Sequence, residues 1–289
     1  MSRVTHYKRN LTPFQSLFTI AVMQYSLLFP KSLRSSPQGL KTESNRLLLR
    51  GGYIRPLSQG LFSYLPLGLR VISNIEKIIN REMEQLSGQE VQMPLVNPFD
   101  LWKKTKRDVM VNRDLVQFRD RHGHDVVLAP THEEAAVELV RIGLNSYRDL
   151  PLFVYQYQSK FRDEEKPRYG LLRTKEFLMK DGYSFHRSYA DLNNFFPKVF
   201  SAYQRIFKAC SVNVIPAEAG TGYMGGEKSY EFLMPCDYGD DGIIICDSCG
   251  YTANREIAKG LKDYGSGSPK ELDRVETPGC KTMESLSEY

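Results

Sequence analysis

The sequence predicts an α+β fold. Long amphipathic helical stretches at 67–87 and 188–210 stand among strand-like runs of the kind that pair antiparallel. After Ser211, short strand-like runs alternate with turns carrying Gly220, Gly222, Gly225 and Gly226. The 289 residues are 41% hydrophobic and 25% charged, ordinary values for a globular protein, and suffice for one large domain or two small ones.

In chain order, Leu11 to Phe29 is apolar but interrupted by Gln15, Ser16, Gln24 and Ser26, which makes it a poor membrane span. The basic, acid-free residues ahead of it suit either an upstream extension or an organellar transit segment. Leu67 to Ser87 places Val71, Ile72, Ile75, Ile78, Ile79, Met83 and Leu86 on one helical stripe. Gly88 is expected to stop that helix in the left-handed conformation, and Glu90 to Pro94 alternates as a strand. Thr131 to Gly143 reads as a helix entered at Pro130, and Leu152 to Gln158 as a strand. Ser188-Tyr-Ala-Asp191 forms a capping box opening a helix to about Cys210, in which Pro197 predicts a kink or break. From Lys259 onward, Gly265-Ser-Gly-Ser-Pro269 reads as a linker.

Net charge is +5, yet residues 1–42 hold six basic side chains and no acid, so the remainder is near neutral. Any RNA contact then depends on local patches rather than a global field. Five cysteines in a sparse, odd set do not suggest a disulfide framework and fit a reducing compartment. Cys246-Asp-Ser-Cys249 is a lone CxxC with no second pair; Cys236 and Cys280 could complete four zinc ligands, but two thiols in a turn after a buried strand Ile243–Ile245 is the preferred reading.

The most informative stretch runs from Gln158 to Phe177. One strand-like entry ends in Phe161-Arg162-Asp163-Glu164, a charged loop follows, and a second run carries Arg173, Glu176 and Phe177. An Arg and a Glu on one strand facing an aromatic on the next can seat a nucleotide. The guanidinium grips phosphate, the carboxylate accepts from an adenine amino group, and the ring stacks on the base. An ordinary hairpin with a solvated charged tip fits the same letters.

Further along, Thr131-His132-Glu133-Glu134 raises a second question. A zinc-protease helix needs a second His four residues after the first, and Ala136 stands there. The segment can simply cap a helix through Thr131, with its acids stabilised by the helix dipole.

Phe161 to Glu164 and Arg173-Thr-Lys-Glu-Phe177 match the second motif of class II aminoacyl-tRNA synthetases. From about Met23 to the C-terminus the chain resembles bacterial-type prolyl-tRNA synthetases, through Gly51–Gly68, Pro130–Glu134, Glu176–Phe185, Gly225–Phe232 and Gly239–Asp241. The resemblance implies an antiparallel sheet flanked by helices, with an extension at 1–22, a catalytic core at 23–258, and a linker with the start of an insertion domain at 259–289. It implies activation of proline with ATP and Mg2+, transfer to tRNA(Pro), a cytoplasmic location, and a homodimer built on the 67–87 helix. An organellar location follows instead if residues 1–22 are a transit segment.

By the same resemblance, Arg162 bridges the proline carboxylate and the α-phosphate and is the catalytic residue. Glu164 holds adenine, Phe177 stacks beneath it, and Arg168 and Arg173 meet the outer phosphates or the tRNA acceptor end. Thr131 and Glu133 line the proline pocket, Glu133 facing the ring nitrogen. Gly225-Gly226 allows close backbone approach, while Tyr230 stands where many relatives have His and puts that side chain's role in doubt. His122, His124 and His186 read as structural or exposed. Relatives continue into an editing insertion, a third motif and an anticodon-binding domain that this sequence does not show. The resemblance therefore implies an N-terminal piece, weakly active or inactive alone. A non-catalytic synthetase-like protein binding proline, RNA or a partner is the competing reading, and threonine or serine specificity a weaker one.

Overall fold

A computed structural model describes residues 24–111, 115–260 and Pro278. The expected leader at 1–22 and nearly all of the expected linker at 259–289 lie outside the described residues. The first elements are α1 (Glu43–Gly51), the hairpin β1 (Ile54–Ser58) and β2 (Leu61–Tyr64), and the long helix α2 (Pro66–Gln85). There follow β3 (Gln89–Glu90), β4 (Val96–Pro98), α3 (Phe99–Thr105), α4 (Arg107–Met110), β5 (Val116–Arg119) and β6 (Asp125–Leu128). Next come α5 (Glu133–Gly143), β7 (Leu152–Phe161), β8 (Glu176–Phe185) and α6 (Tyr189–Ala209). The last elements are β9 (Ile215–Glu218), β10 (Tyr230–Leu233), β11 (Ile243–Ile245) and β12 (Thr252–Asn254). The described residues form two compact units, 24–215 with Leu233–Gly239, and Pro216–Phe232 with 240–260.

The centre of the first unit is the β7–β8 pair, antiparallel over ten residues from Leu152↔Phe185 to Phe161↔Glu176, with β3 running parallel on the other side of β7. Successive side chains of a strand leave on opposite faces, so β7 sorts its residues into two sets. Phe153 and Tyr155 pack with Met83 of α2 and with Ala202 and Ile206 of α6. Each large apolar side chain so buried contributes about 1.5–3 kcal/mol. The opposite set turns polar after buried Val154, with Gln156 and Lys160 on β7 and Asp181 directly across from Gln156. The hydrophobic face anchors the sheet and leaves the polar face for chemistry.

A second cluster in the same unit, Trp102, Val111, Leu115, Val127 and Ala129, supports the sheet β4-β6-β5 against α3. It fixes the chain that leaves β6 for α5. The second unit is built on the sheet β10-β9-β12-β11, with β9 and β12 parallel and β11 and β12 antiparallel.

Several elements differ from the sequence reading for identifiable reasons. The strand expected at Glu90 to Pro94 stops at Glu90, because side chains replace its ladder: Gln156 Oε1 accepts from the Met93 amide at 2.9 Å and Gln158 Nε2 donates to the Met93 carbonyl. The left-handed residue after α2 is Ser87 (φ 58°), not Gly88. Gly88 is required by space instead, since a Cβ there would meet the Met83 carbonyl at 2.9 Å and the Phe153 ring at 3.0 Å. Pro197 neither kinks α6 apart nor ends it; the helix runs unbroken for 21 residues. Asn193, whose carbonyl loses its partner to the proline, is exposed along with Pro197, so water can satisfy it.

The capping box at Ser188 is half formed. Ser188 accepts from the Asp191 amide, but Asp191 reaches the Arg187 amide rather than that of Ser188. Strand β11 is not buried, as Ile244 and Ile245 are both exposed.

Candidate active site

The loop end of the β7–β8 hairpin carries Arg162, Glu164, Arg168, Arg173 and Phe177. Lys160 pairs with Phe177 across the hairpin, and Arg162, two residues further on, leaves on the same side. Its guanidinium lies over the Phe177 ring, 5.3 Å from the centroid. Arg162 Nε also donates to the Pro130 carbonyl at 3.2 Å, which ties the arginine to the segment before α5. Its own amide is held by the Lys175 carbonyl at 2.8 Å.

Glu164 and Arg173 are brought together as an ion pair, Nε to Oε2 at 2.9 Å. That guanidinium holds the Glu164 carboxyl below its ordinary range, helped by the Lys166 amide on the other oxygen. The loop between the strands closes on itself through the Arg168–Arg173 bridge, with Arg168 lying 5.3 Å over the Tyr169 ring. Gly170 makes this loop possible. Its φ is 65° and a Cβ would collide with buried Asn45 at 2.5 Å.

Thr131 and Glu133 sit at the entry of α5 beside this hairpin. The cap residue is His132, not Thr131, and its side chain makes no capping bond. Thr131 Oγ1 instead donates to Glu133 Oε2 at 2.5 Å. The same carboxylate pairs with Arg107 at 3.4 Å, and Arg107 reaches Glu134 at 3.2 Å. Glu134 is buried and also accepts from Thr105 at 2.9 Å. Arg107 was not among the expected site residues. Two adjacent acids at a buried helix start were the available signal, since such a pair needs a cation nearby.

Sequence reasoning also missed a buried polar group beneath the site. Lys160, fully buried, pairs with Asp181 Oδ1 at 2.9 Å and bonds His132 Nδ1. Asp181 Oδ2 accepts from Gln156 at 2.9 Å and from the Tyr183 hydroxyl at 2.5 Å. Burial, with Lys160 alongside, pushes the His132 pKa down, and burial with the Asp181 bond pushes the Tyr183 hydroxyl up. A lysine at an inward position of β7 was the overlooked sign.

Among the other histidines, His122 and His124 are exposed on the β5–β6 turn, while the His186 ring is largely buried beside Asp191 at 3.2 Å. In the second unit Gly225 and Gly226 have φ of 71° and 101°, with open space where a Cβ would stand. The CxxC forms a turn, its first amide donating to the Tyr251 carbonyl at 2.8 Å. The Ser248 and Cys249 amides draw the Cys246 thiol below its ordinary range. Cys280 lies outside the described residues, and among those described no group of three or more His, Cys, Asp or Glu could hold a metal ion.

The arrangement is a cation above an aromatic ring at the loop end of the β7–β8 hairpin, next to a helix start lined by a hydroxyl and a carboxylate. Residues 116–261, half of the chain, match the tRNA synthetase class II core domain (G, H, P, S and T), and the chain belongs to that family. It is similar to the proline–tRNA ligases of Thermotoga neapolitana (41% identical over 269 residues), Halothermothrix orenii (43% over 269) and Salinispora tropica (44% over 266). Each alignment covers 92% of this chain and 45–47% of the relative. The chain thus spans about half the length of the curated relatives it matches. Its fold also resembles the crystal structure of prolyl-tRNA synthetase from Cryptosporidium parvum complexed with L-proline and AMP, with TM-score 0.56 and 17% identity, covering 64% of this chain and 38% of that one.

Proposed function

We propose that this chain carries the proline-activating site of a prolyl-tRNA synthetase, joining proline to the α-phosphate of ATP, with tRNA(Pro) as the acceptor of the prolyl group. The observation that carries the reading is Arg162 held over Phe177 while bonded to Pro130, the residue that leads into Thr131 and Glu133. An ionised carboxylate needs no base to attack phosphorus, so activation asks for alignment and charge neutralisation. Arg162 suits both because its fork can span the two anionic groups as they approach. Phe177 offers a face to adenine, Glu164 an acceptor to its amino group, and Arg168 and Arg173 charge for the outer phosphates.

Thr131 and Glu133 suit the other half of the reaction. Proline presents only a small ring and a secondary ammonium, and a fixed carboxylate answers the second. Glu133 Oε2 is already bonded to Thr131 and Arg107, which leaves Oε1 for the ring nitrogen. The Mg2+ that accompanies ATP binds phosphate and water oxygens foremost, in keeping with the few carboxylates gathered here.

Two broader parts of the reading rest on separate features. The N-terminal half of α2 exposes Val71 and Ile75, one turn apart on the same face, an apolar pair suited to a second copy of the chain. Sedimentation velocity of Ile75→Glu is expected to give a monomer where the parent gives a dimer, and a monomeric parent would refute the dimer. Among the described residues no helix is long and apolar enough to cross a membrane. The unpaired cysteines fit a cytoplasmic setting.

Calorimetry with non-hydrolysable aminoacyl-adenylate analogues tests the function itself. The prolyl analogue is expected to bind the 289-residue chain at least about tenfold more tightly than the threonyl or seryl analogue. Binding of RNA with no prolyl-analogue binding would instead make this a non-catalytic synthetase-like protein.

A further inference from the structure

Lys160 has no role in the chemistry above, yet it is the most thoroughly enclosed charge in the site. Its ammonium is fully buried on β7 and meets only two polar neighbours among the described residues, Asp181 Oδ1 at 2.9 Å and His132 Nδ1. His132 is equally buried, and its other ring nitrogen, Nε2, lies 3.0 Å from the Pro94 carbonyl. A carbonyl can only accept, so Nε2 carries the hydrogen. Nδ1 faces a cation and therefore carries none. The ring is thus neutral and locked in a single tautomer by the groups on its two sides.

His132 stands between Thr131 and Glu133, the two residues read as the proline pocket. Its neighbours are pinned as well, Pro130 through its carbonyl to Arg162 and the Phe161 amide to the Ala129 carbonyl at 3.5 Å. The backbone at Ala129 and Pro130 is tied to the end of β7, and among the described residues Lys160 is the side chain of that strand bonded to His132 in the middle of the pocket segment. We propose that Lys160 is a positioning residue for proline recognition, holding Thr131 and Glu133 in place through the neutral His132 ring and itself held by Asp181. The proposal rests on the proline-activating reading of this site and deepens it.

The consequence is a dependence on protonation that a passive core would lack. Protonation of His132 at Nδ1 sets two cations against each other and breaks the bond to Lys160. The charged groups that act on the ring are Lys160 on β7 and Asp181 on β8; around that pair stand Tyr183 on β8, Glu133 on α5 and Arg162. In the intact protein Lys160 and burial both keep the ring neutral. In Lys160→Met the nearest charge becomes the Asp181 carboxylate, which favours a protonated ring.

The test combines histidine ring nitrogen NMR with proline titration of the 289-residue chain. The parent is expected to show His132 as the Nε2–H tautomer, still neutral at about pH 6, where a free histidine is mostly protonated. Its proline affinity should stay level between about pH 8 and about pH 6. Lys160→Met is expected to bind proline at least about tenfold more weakly at the acid end, with ATP affinity within about threefold of the parent. A variant that only loosens the fold would lose both ligands together and at every pH.

A parent ring carrying its hydrogen on Nδ1, or titrating in the ordinary histidine range, would overturn the proposal without any variant being needed. So would a folded Lys160→Met whose proline affinity and pH profile match the parent. Failure of the parent to bind proline at all would overturn the proposed function and the positioning role together, while the ring nitrogens still report separately on whether Lys160 fixes His132.

Discussion

Glu133 and Glu134 illustrate how single residues set this site. Two carboxylates side by side at a helix start repel one another, and Arg107 sits 3.4 and 3.2 Å from them with little exposure of its own. Arg107→Ala leaves Glu134 buried with only the Thr105 hydroxyl for company. We expect a loss of about 3 kcal/mol in stability, read as a lowered denaturation midpoint, because an uncompensated buried charge is the costly case. A change below about 0.5 kcal/mol would mean that the pair is solvated and worth little. At this scale the sequence singled out Arg162 with Phe177 and Glu164 with Arg173, and the structure brings each pair into contact. The sequence left only indirect signs at Lys160 and Arg107 and none at Asp181. Charged residues are exposed by default, and nothing local reveals that a lysine on β7 and an aspartate on β8 are brought together.

The β7–β8 hairpin shows what an element adds. Alternation along β7 sends Phe153 and Tyr155 to α2 and α6 and sends Gln156 and Lys160 to the opposite face, so packing and chemistry share one strand without competing. Helices α2 and α6 were readable from their apolar periodicity, part of each stripe packing into one cluster through Met83 and Ile206. The strand expected at 90–94 was not, because Gln156 and Gln158 take over its hydrogen bonds from a distance of more than sixty residues. Pro197 marks the limit of local rules in the other direction. Its helix survives through the packing of Ala202 and Ile206, and the proline remains a cost on the exposed side. Pro197→Ala should therefore raise the melting temperature, with a gain of about 1–3 kcal/mol at most. An unchanged or lower melting temperature would show that Pro197 supports that packing rather than opposing it.

Over the whole molecule, the first unit alone supplies every side chain assigned to ATP and proline. The second unit contributes a small sheet and the Gly225-Gly226 turn. The class II core was legible in the order and spacing of its motifs, whereas the division into two units depends on long-range pairing that periodicity does not report. Arg162 connects the two halves of the site, lying over the ring read as the adenine seat and bonding the segment read as the proline pocket. Titration calorimetry of the prolyl-adenylate analogue against the parent chain and Arg162→Ala measures that connection most directly. A loss of about a hundredfold in affinity, about 3 kcal/mol, is expected when the guanidinium is removed. Binding within about threefold of the parent would mean that the analogue is held elsewhere, and the account of this site would fail.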